Sequence, residues 1–232
     1  MTGTFINIAA VLVGSILGLI LGARIPARLK ETIIAGMGIF LAAMGIQMFL
    51  ETVNPLIVLG ALLIGTLLGE WWRIEDGIHN LGKFLEQRFS AREDDSPNTF
   101  VRGFMTASLL FCVGPVAILG SIQDGLTGDY SLLAVKSVLD GFASIAFAST
   151  LGIGVAFSSL MLLVYQGAIS LMSAQLDAIV TASMMNELTA TGGVLLIGIG
   201  ISNLLEIKKI RAGNMLPALF VAPALVWVLS LF

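Results

Sequence analysis

The chain has 232 residues, 57% of them hydrophobic and only 12% charged, with a formal net charge of −3. Soluble domains carry about 25% charged residues, so half that share, set between long apolar runs, excludes an ordinary soluble domain and indicates an integral membrane protein. The mild acidity offers nothing to nucleic acid, and the single cysteine, Cys112, excludes an intramolecular disulfide.

The first apolar run covers residues 5–23, with Gly14, Gly18 and Gly22 at four-residue spacing. That spacing puts them on one helix face, where small residues let another helix approach. No basic residue precedes the run and Arg24 follows it, so it reads as a first transmembrane helix and not as a cleavable signal peptide. Arg24, Arg28 and Lys30 cluster around Pro26. The second run covers 32–50 and ends at Glu51. Asn54-Pro55 predicts a turn with Pro55 in the first turn of a third helix over 55–72.

Charge rises between Arg73 and Arg102. Within that stretch Ile74, Ile78, Leu81 and Leu85 recur on one face of an amphipathic helix, which is expected to lie on the membrane surface or against the protein. Residues 92–98 read as a flexible loop. His79 has no histidine or cysteine near it to form a metal site. A fourth run over 100–122 is interrupted by Gly114-Pro115, where proline removes a helical hydrogen bond. Such breaks survive in a membrane where protein or a wet cavity surrounds them. Helix five is expected over 131–150 and helix six over 154–172, joined by Leu151-Gly-Ile-Gly154. A polar segment over 173–187 leads to helix seven at 189–205, with Thr189 or Thr191 as its cap. Lys208, Lys209 and Arg211 precede helix eight at 214–232.

Lysine and arginine cluster after runs one, three and seven, while the connections after runs two, four and six carry acidic residues and no lysine or arginine. The positive-inside rule then predicts eight spans with both termini outside. Glycines and a glutamate also recur at one offset: Gly38, Gly45, Ile46, Leu50 and Glu51 fall on Gly193, Gly200, Ile201, Leu205 and Glu206. Helices one to three therefore match helices six to eight, five helices apart, hence in opposite directions. The expected fold is an all-α polytopic membrane protein of about eight helices. It has an inverted-topology repeat of helices 1–3 and 6–8 around a central helix 4–5 hairpin, a pattern of secondary transporters. The corresponding segments are 1–72 (repeat one), 73–99 (amphipathic helix and loop), 100–151 (central hairpin) and 152–232 (repeat two).

The stretches FVRGFMTASLLFCVGPVAILGSIQDGLTGD, KSVLDGFASIAFASTLGIGV, YQGAISL and ELTATGGVLLIGIGISNLL resemble the YqgA-like (YdfK/YqgA) family of bacterial membrane proteins, through nearly the whole chain. The resemblance implies a multi-pass protein of the bacterial inner membrane and carries no substrate or catalytic residue, the family being one of unknown function. Gly114-Pro115 stands where the family is often expected to have Gly-Ala.

The densest polar stretch inside the apolar sequence is 121–141, with Gln123, Asp124, Asp129, Lys136 and Asp140. An ionised group in the bilayer core costs roughly 2.5–3.5 kcal/mol on insertion scales, so Lys136 and Asp140, four apart on one face, must pair, be wetted or be used. Asp124-Gly125 and Asp140-Gly141 sit in similar settings, and each glycine can let the chain unwind beside a carboxylate. Two carboxylates with freed carbonyls and Gln123 suit a hard cation or protons. A solvated turn is the structural alternative for Asp124, and an ion pair for Lys136 and Asp140. Tyr165 and Gln166 interrupt helix six, with Tyr165 also readable as an interfacial anchor. Glu187 and Thr191 open helix seven, near whose end stands Asn203. No phosphate-binding loop, HExxH or nucleophile–histidine pair occurs, so no enzyme and no cofactor is expected. The predicted function is a small secondary transporter or ion-coupled carrier of an unknown solute or ion. The alternative is a channel or a non-transporting membrane scaffold. Its surroundings are the lipid bilayer, and a homodimer is compatible with the sequence.

Overall fold

The computed structural model describes residues 1–89 and 99–231, and all regular structure among them is helical. The helices are α1 (Thr2–Gly22), α2 (Ala27–Phe49), α3 (Pro55–Trp72), α4 (Ile74–Phe89), α5 (Thr99–Val113), α6 (Pro115–Thr127), α7 (Ser131–Leu151), α8 (Gly154–Leu171), α9 (Ser173–Asp177), α10 (Ala182–Ile199) and α11 (Ala218–Leu229). A π-helical stretch, Gly200–Leu204, extends α10, and a 3₁₀ turn, Ala212–Met215, leads into α11. Seven of these segments are long and apolar enough to cross a bilayer, each 18 residues or more, or at least ~27 Å of helix. An eighth span is counted when α5 and α6, bent by 64°, are taken together.

That bend falls at Gly114-Pro115, as the sequence predicts: Pro115 has no N–H to donate to the preceding turn. Asn54 caps α3 through a bond from Leu56 N (3.1 Å), with Pro55 opening the helix. The joint between α7 and α8 is real and short, turning at Gly152 with φ of 78°. On α4 the predicted face holds, with Ile78 and Leu85 buried and Phe84 exposed. The loop expected at 92–98 lies outside the described residues. The start of helix seven needs correction. Residues expected to form a polar connection up to Glu187 instead fold as α9 and the first turns of α10. The cap of α10 is Thr181, which accepts from Met184 N (3.3 Å), and neither Thr189 nor Thr191 plays that part. Thr189 donates back to Met185 O (2.7 Å) from within the helix. Its polar residues are inside because α10 is enclosed, most of its residues being buried, whereas α2 is largely exposed.

The chain forms two compact units that do not follow its order. Unit one contains Met1–Ile34, His79–Cys112 and Val116–Ala178, and unit two Ala35–Ile78, Val113–Pro115 and Ile179–Phe232. Each predicted three-helix segment thus gives its first helix to unit one and its last two to unit two.

In unit one, α1 lies against α7 so closely that a Cβ at Gly14, Gly18 or Gly22 would strike the carbonyls of Gly141, Ile145 and Ser149 in turn. Both numbers rise together, so the helices are parallel. The glycine stripe read from the sequence is this contact. α8 runs parallel to α5 and α6: Gly154 meets the Phe100 backbone, and Ser170 Oγ donates to Ser121 O at 2.9 Å. In unit two, α2 and α10 are antiparallel. Gly45 and Gly193 touch backbone to backbone, and a Cβ at Gly200 would sit 2.8 Å from Gly38 O. α3 and α11 are antiparallel too, Gly65 meeting Ala218 and Gly69 meeting Asn214, around a small core of Ala61, Ala218 and Ala222.

Candidate functional site

Unit one holds ionised groups between its spanning helices. On α7, Lys136 and Asp140 form an ion pair through Asp140 Oδ2, both residues being buried. From α1, Asn7 donates its Nδ2 to the same oxygen at 3.0 Å. From α5, the Phe111 ring lies under the Lys136 ammonium, 5.8 Å from centroid to nitrogen, within the range of a cation–π contact. Cys112 is buried within electrostatic reach of both Lys136 and Asp140, and Tyr165 of α8 is within reach of Cys112. The bend at Gly114 begins just beyond Phe111 and Cys112.

Asp124 sits at the first turn of α1. Its Oδ2 accepts from Gly3 N at 3.0 Å and lies 3.2 Å from the Met1 nitrogen. A carboxylate at a helix N-terminus is favoured by the macrodipole and satisfies an otherwise orphaned N–H. The solvated-turn alternative for Asp124 does not hold, since its side chain is buried. Neither aspartate–glycine pair unwinds its helix: Gly125 lies within α6 and packs tightly on the Ser170 backbone, and Gly141 lies within α7 facing Ala10 of α1.

Many buried polar atoms in this unit have no hydrogen-bond partner among the described residues. They are Thr4 Oγ1, Asn7 Oδ1, Ser15 Oγ, Ser108 Oγ, Asp124 Oδ1, Ser144 Oγ, Tyr165 OH and both amide atoms of Gln166, whereas unit two has Thr191 Oγ1. Leaving a buried amide or hydroxyl unpaired costs roughly 1–3 kcal/mol by protein measurements, so these atoms call for water or a bound solute. The Tyr165 hydroxyl is enclosed and does not reach out as an interfacial anchor.

The predicted residues divide among different roles. Lys136 and Asp140 come together, while Tyr165 and Gln166 lie on α8, which packs against α1. Gln123 turns outward to bond Asp129 through Nε2 (2.7 Å), away from Asp124. In unit two, Glu187 is buried and holds the α2–α3 turn, accepting from Thr52 Oγ1 (2.6 Å), Val53 N (2.8 Å) and Asn54 N (2.9 Å). Thr191 is one turn further along α10, and Asn203 lies in the π-helical stretch. Asn7 is absent from the sequence-based set. Its signal is that it is the one amide side chain of the first span, one turn from Thr4 on the same buried face.

Outside the spans, Glu75 at the start of α4 forms a reciprocal clamp: its Oε2 accepts from Gly213 N (3.0 Å) and its N–H donates to Asn214 Oδ1 (2.7 Å). Burial pushes its carboxyl above the ordinary value, against the opposing Gly213 N–H, Lys209 and Arg211.

Long apolar helices, one bent pair and ion pairs enclosed between helices define a polytopic α-helical membrane protein. The chain belongs to the family described as "Protein of unknown function (DUF554)", which matches residues 2–227. It is 34% identical over 237 residues to "Uncharacterized membrane protein YdfK" of Bacillus subtilis, covering 100% of this chain and 98% of that one. It is 35% identical over 222 residues to "Uncharacterized protein YqgA" of Escherichia coli, covering 95% and 94%. No solved structure matches it.

Proposed function

We propose that this protein is a small secondary transporter, not an enzyme, that carries a small solute or ion across the bacterial inner membrane. The observation that carries the reading is the polar interior of unit one, where the Lys136–Asp140–Asn7 cluster lies among buried, unpartnered side chains on α1, α5, α6, α7 and α8. Orphaned groups this numerous need water or solute as partners, and a hydrated solute path supplies both.

Unit two supports the inverted repeat that such carriers use. At the offset that relates the repeats, Gly193 is the counterpart of Gly38 and Gly200 that of Gly45. A Cβ at Gly200 would meet Gly38 O and one at Gly45 would meet Gly193 O, whereas Gly38 itself looks onto Leu204 and Leu205; the Gly200 and Gly45 contacts, taken counterpart for counterpart, follow a two-fold axis. The midpoint of this contact falls between Leu41 and Ala42. The midpoint of the α3–α11 contact falls near Ile64. These positions lie about equally far on either side of the α2–α3 turn, roughly 11–14 Å of helix each way. Both pairs support a single two-fold axis relating the repeats.

The lysine and arginine segregation supports cytoplasmic faces for the connections after α1, after α3 and after α10, with both termini outside. The test is reconstitution into liposomes with gradient-driven uptake of a solute panel, alongside thermal-shift screening of the same panel. Saturable uptake supports a carrier. Non-saturable flux indicates a channel, and no flux with a co-purifying partner indicates a scaffold. External thiol labelling of an Asp177→Cys variant in intact cells checks the orientation, and labelling from the cytoplasmic side alone would reverse it.

A further inference from the structure

We propose, resting on the transport reading above, that the solute is a small carboxylate carried with one proton, Lys136 taking the carboxylate and Asp140 the proton. The first step is that Lys136 stays charged. Its ammonium lies over the Phe111 ring, a contact that favours the cation and gives nothing to a neutral amine. The partner that changes is then Asp140.

An incoming carboxylate competes with Asp140 for Lys136. With both carboxylates ionised the site would hold two negative charges against one positive, out of water, and like charges so placed drive one group to protonate. A proton from the aqueous side resolves this by forming an O–H bond on Asp140. No bond in the solute breaks. The site is neutral before, as Lys136⁺ with Asp140⁻, and neutral after, as Lys136⁺ with the solute carboxylate and Asp140 as the acid. On the far side the proton leaves, Asp140 recaptures Lys136, and the solute is released.

Asn7 is suited to both states. Its Nδ2 donates to Asp140 Oδ2, while its Oδ1 is buried without a partner. A half-turn of the amide presents that oxygen to a protonated Asp140, supplying the acceptor the acid needs. The charged or titratable groups around Asp140 are Lys136 on its own helix, Cys112 from α5 and, within reach of Cys112, Tyr165 from α8. Asp124 and the Met1 nitrogen bond each other at the first turn of α1, before Asn7. A cationic solute would have to discharge Lys136, forfeiting both its ring contact and its ion pair.

The experiment uses purified full-length protein in weakly buffered detergent with a pH indicator. The probes are acetate, lactate, pyruvate and benzoate, with sodium chloride and methylammonium chloride as cation controls. The expected result is that a carboxylate raises the melting temperature with uptake of one proton per protein. Asp140→Asn should bind the same probe without proton uptake. In liposomes it should exchange the labelled probe but not accumulate it down a pH gradient. The Lys136→Met/Asp140→Asn double variant keeps the pair neutral so that it folds, and it should lose the stabilisation. Binding of a cation control with proton release would overturn the carboxylate assignment and leave the transport reading intact. Failure of every carboxylate to bind would overturn the assignment too, while the wider solute screen decides the transport reading by itself. Unchanged proton uptake in Asp140→Asn would remove Asp140 as the proton carrier.

Discussion

Asn7 and Asp140 join α1 to α7 through a buried bond, Nδ2 to Oδ2 at 3.0 Å. The glycines of α1 follow further along the same interface, so this polar contact and the glycine stripe fix one helix pair together. Removing the amide leaves a buried carboxylate with one partner fewer, a loss of about 1–3 kcal/mol. Asn7→Ala should therefore lower the unfolding midpoint in detergent clearly, and Asn7→Asp should lower it more by adding a buried negative charge. An Asn7→Ala variant as stable as the parent would show that the bond contributes nothing.

Lys136 and Asp140 give a sharper test, because a buried pair behaves asymmetrically. Removing one partner strands the other and costs about 3–5 kcal/mol, whereas replacing both can be nearly neutral. Lys136→Met should be strongly destabilising, and Lys136→Met/Asp140→Asn should recover most of the loss. Unfolding midpoints of the single and double variants measure this coupling. If the two losses simply add, water or another group already satisfies each charge.

The spans were legible in the sequence because hydrophobic length and glycine spacing are one-dimensional signals. The break at Gly114-Pro115, the turn at Asn54-Pro55 and the face of Gly14, Gly18 and Gly22 were legible for the same reason. The charged pair was found because Lys136 and Asp140 are one turn apart on one helix. Asn7 was not, since its partner is Asp140 of another helix, and nothing local marks one amide as bonded to it. The start of α10 was misread because polarity usually signals a loop. Here Glu187 is polar and inside, its oxygens satisfied by Thr52 and two backbone N–H groups of a distant turn.

The reciprocal glycines predict equivalent effects. Gly45 and Gly193 occupy the same point of contact from opposite sides, so a side chain on either separates α2 from α10. Gly45→Leu and Gly193→Leu should each destabilise by at least the ~1–3 kcal/mol typical of overpacking, and by similar amounts. The double variant should cost less than the sum, since the first leucine has already opened the contact. Melting temperatures of the three variants decide this, and a large loss in one with none in the other would break the equivalence.

Glu75 sets a pH dependence outside the spans. Its carboxyl is raised above the ordinary 4.5, burial being the largest cause, so the folded state holds its proton more tightly than the unfolded chain does. Between 4.5 and the raised value the folded protein binds more protons, and stability must fall as pH rises. The contribution is complete below the unfolded pKa and is lost as pH climbs through the folded one. Glu75→Gln keeps an oxygen for the Gly213 N–H and removes the titration. Melting temperatures of the parent and the variant, followed from pH 4.5 to 7, should diverge, with the parent losing ground as the pH rises. A gap that stays constant, or that moves in favour of the parent towards pH 7, would mean that Glu75 is not the group burial makes it.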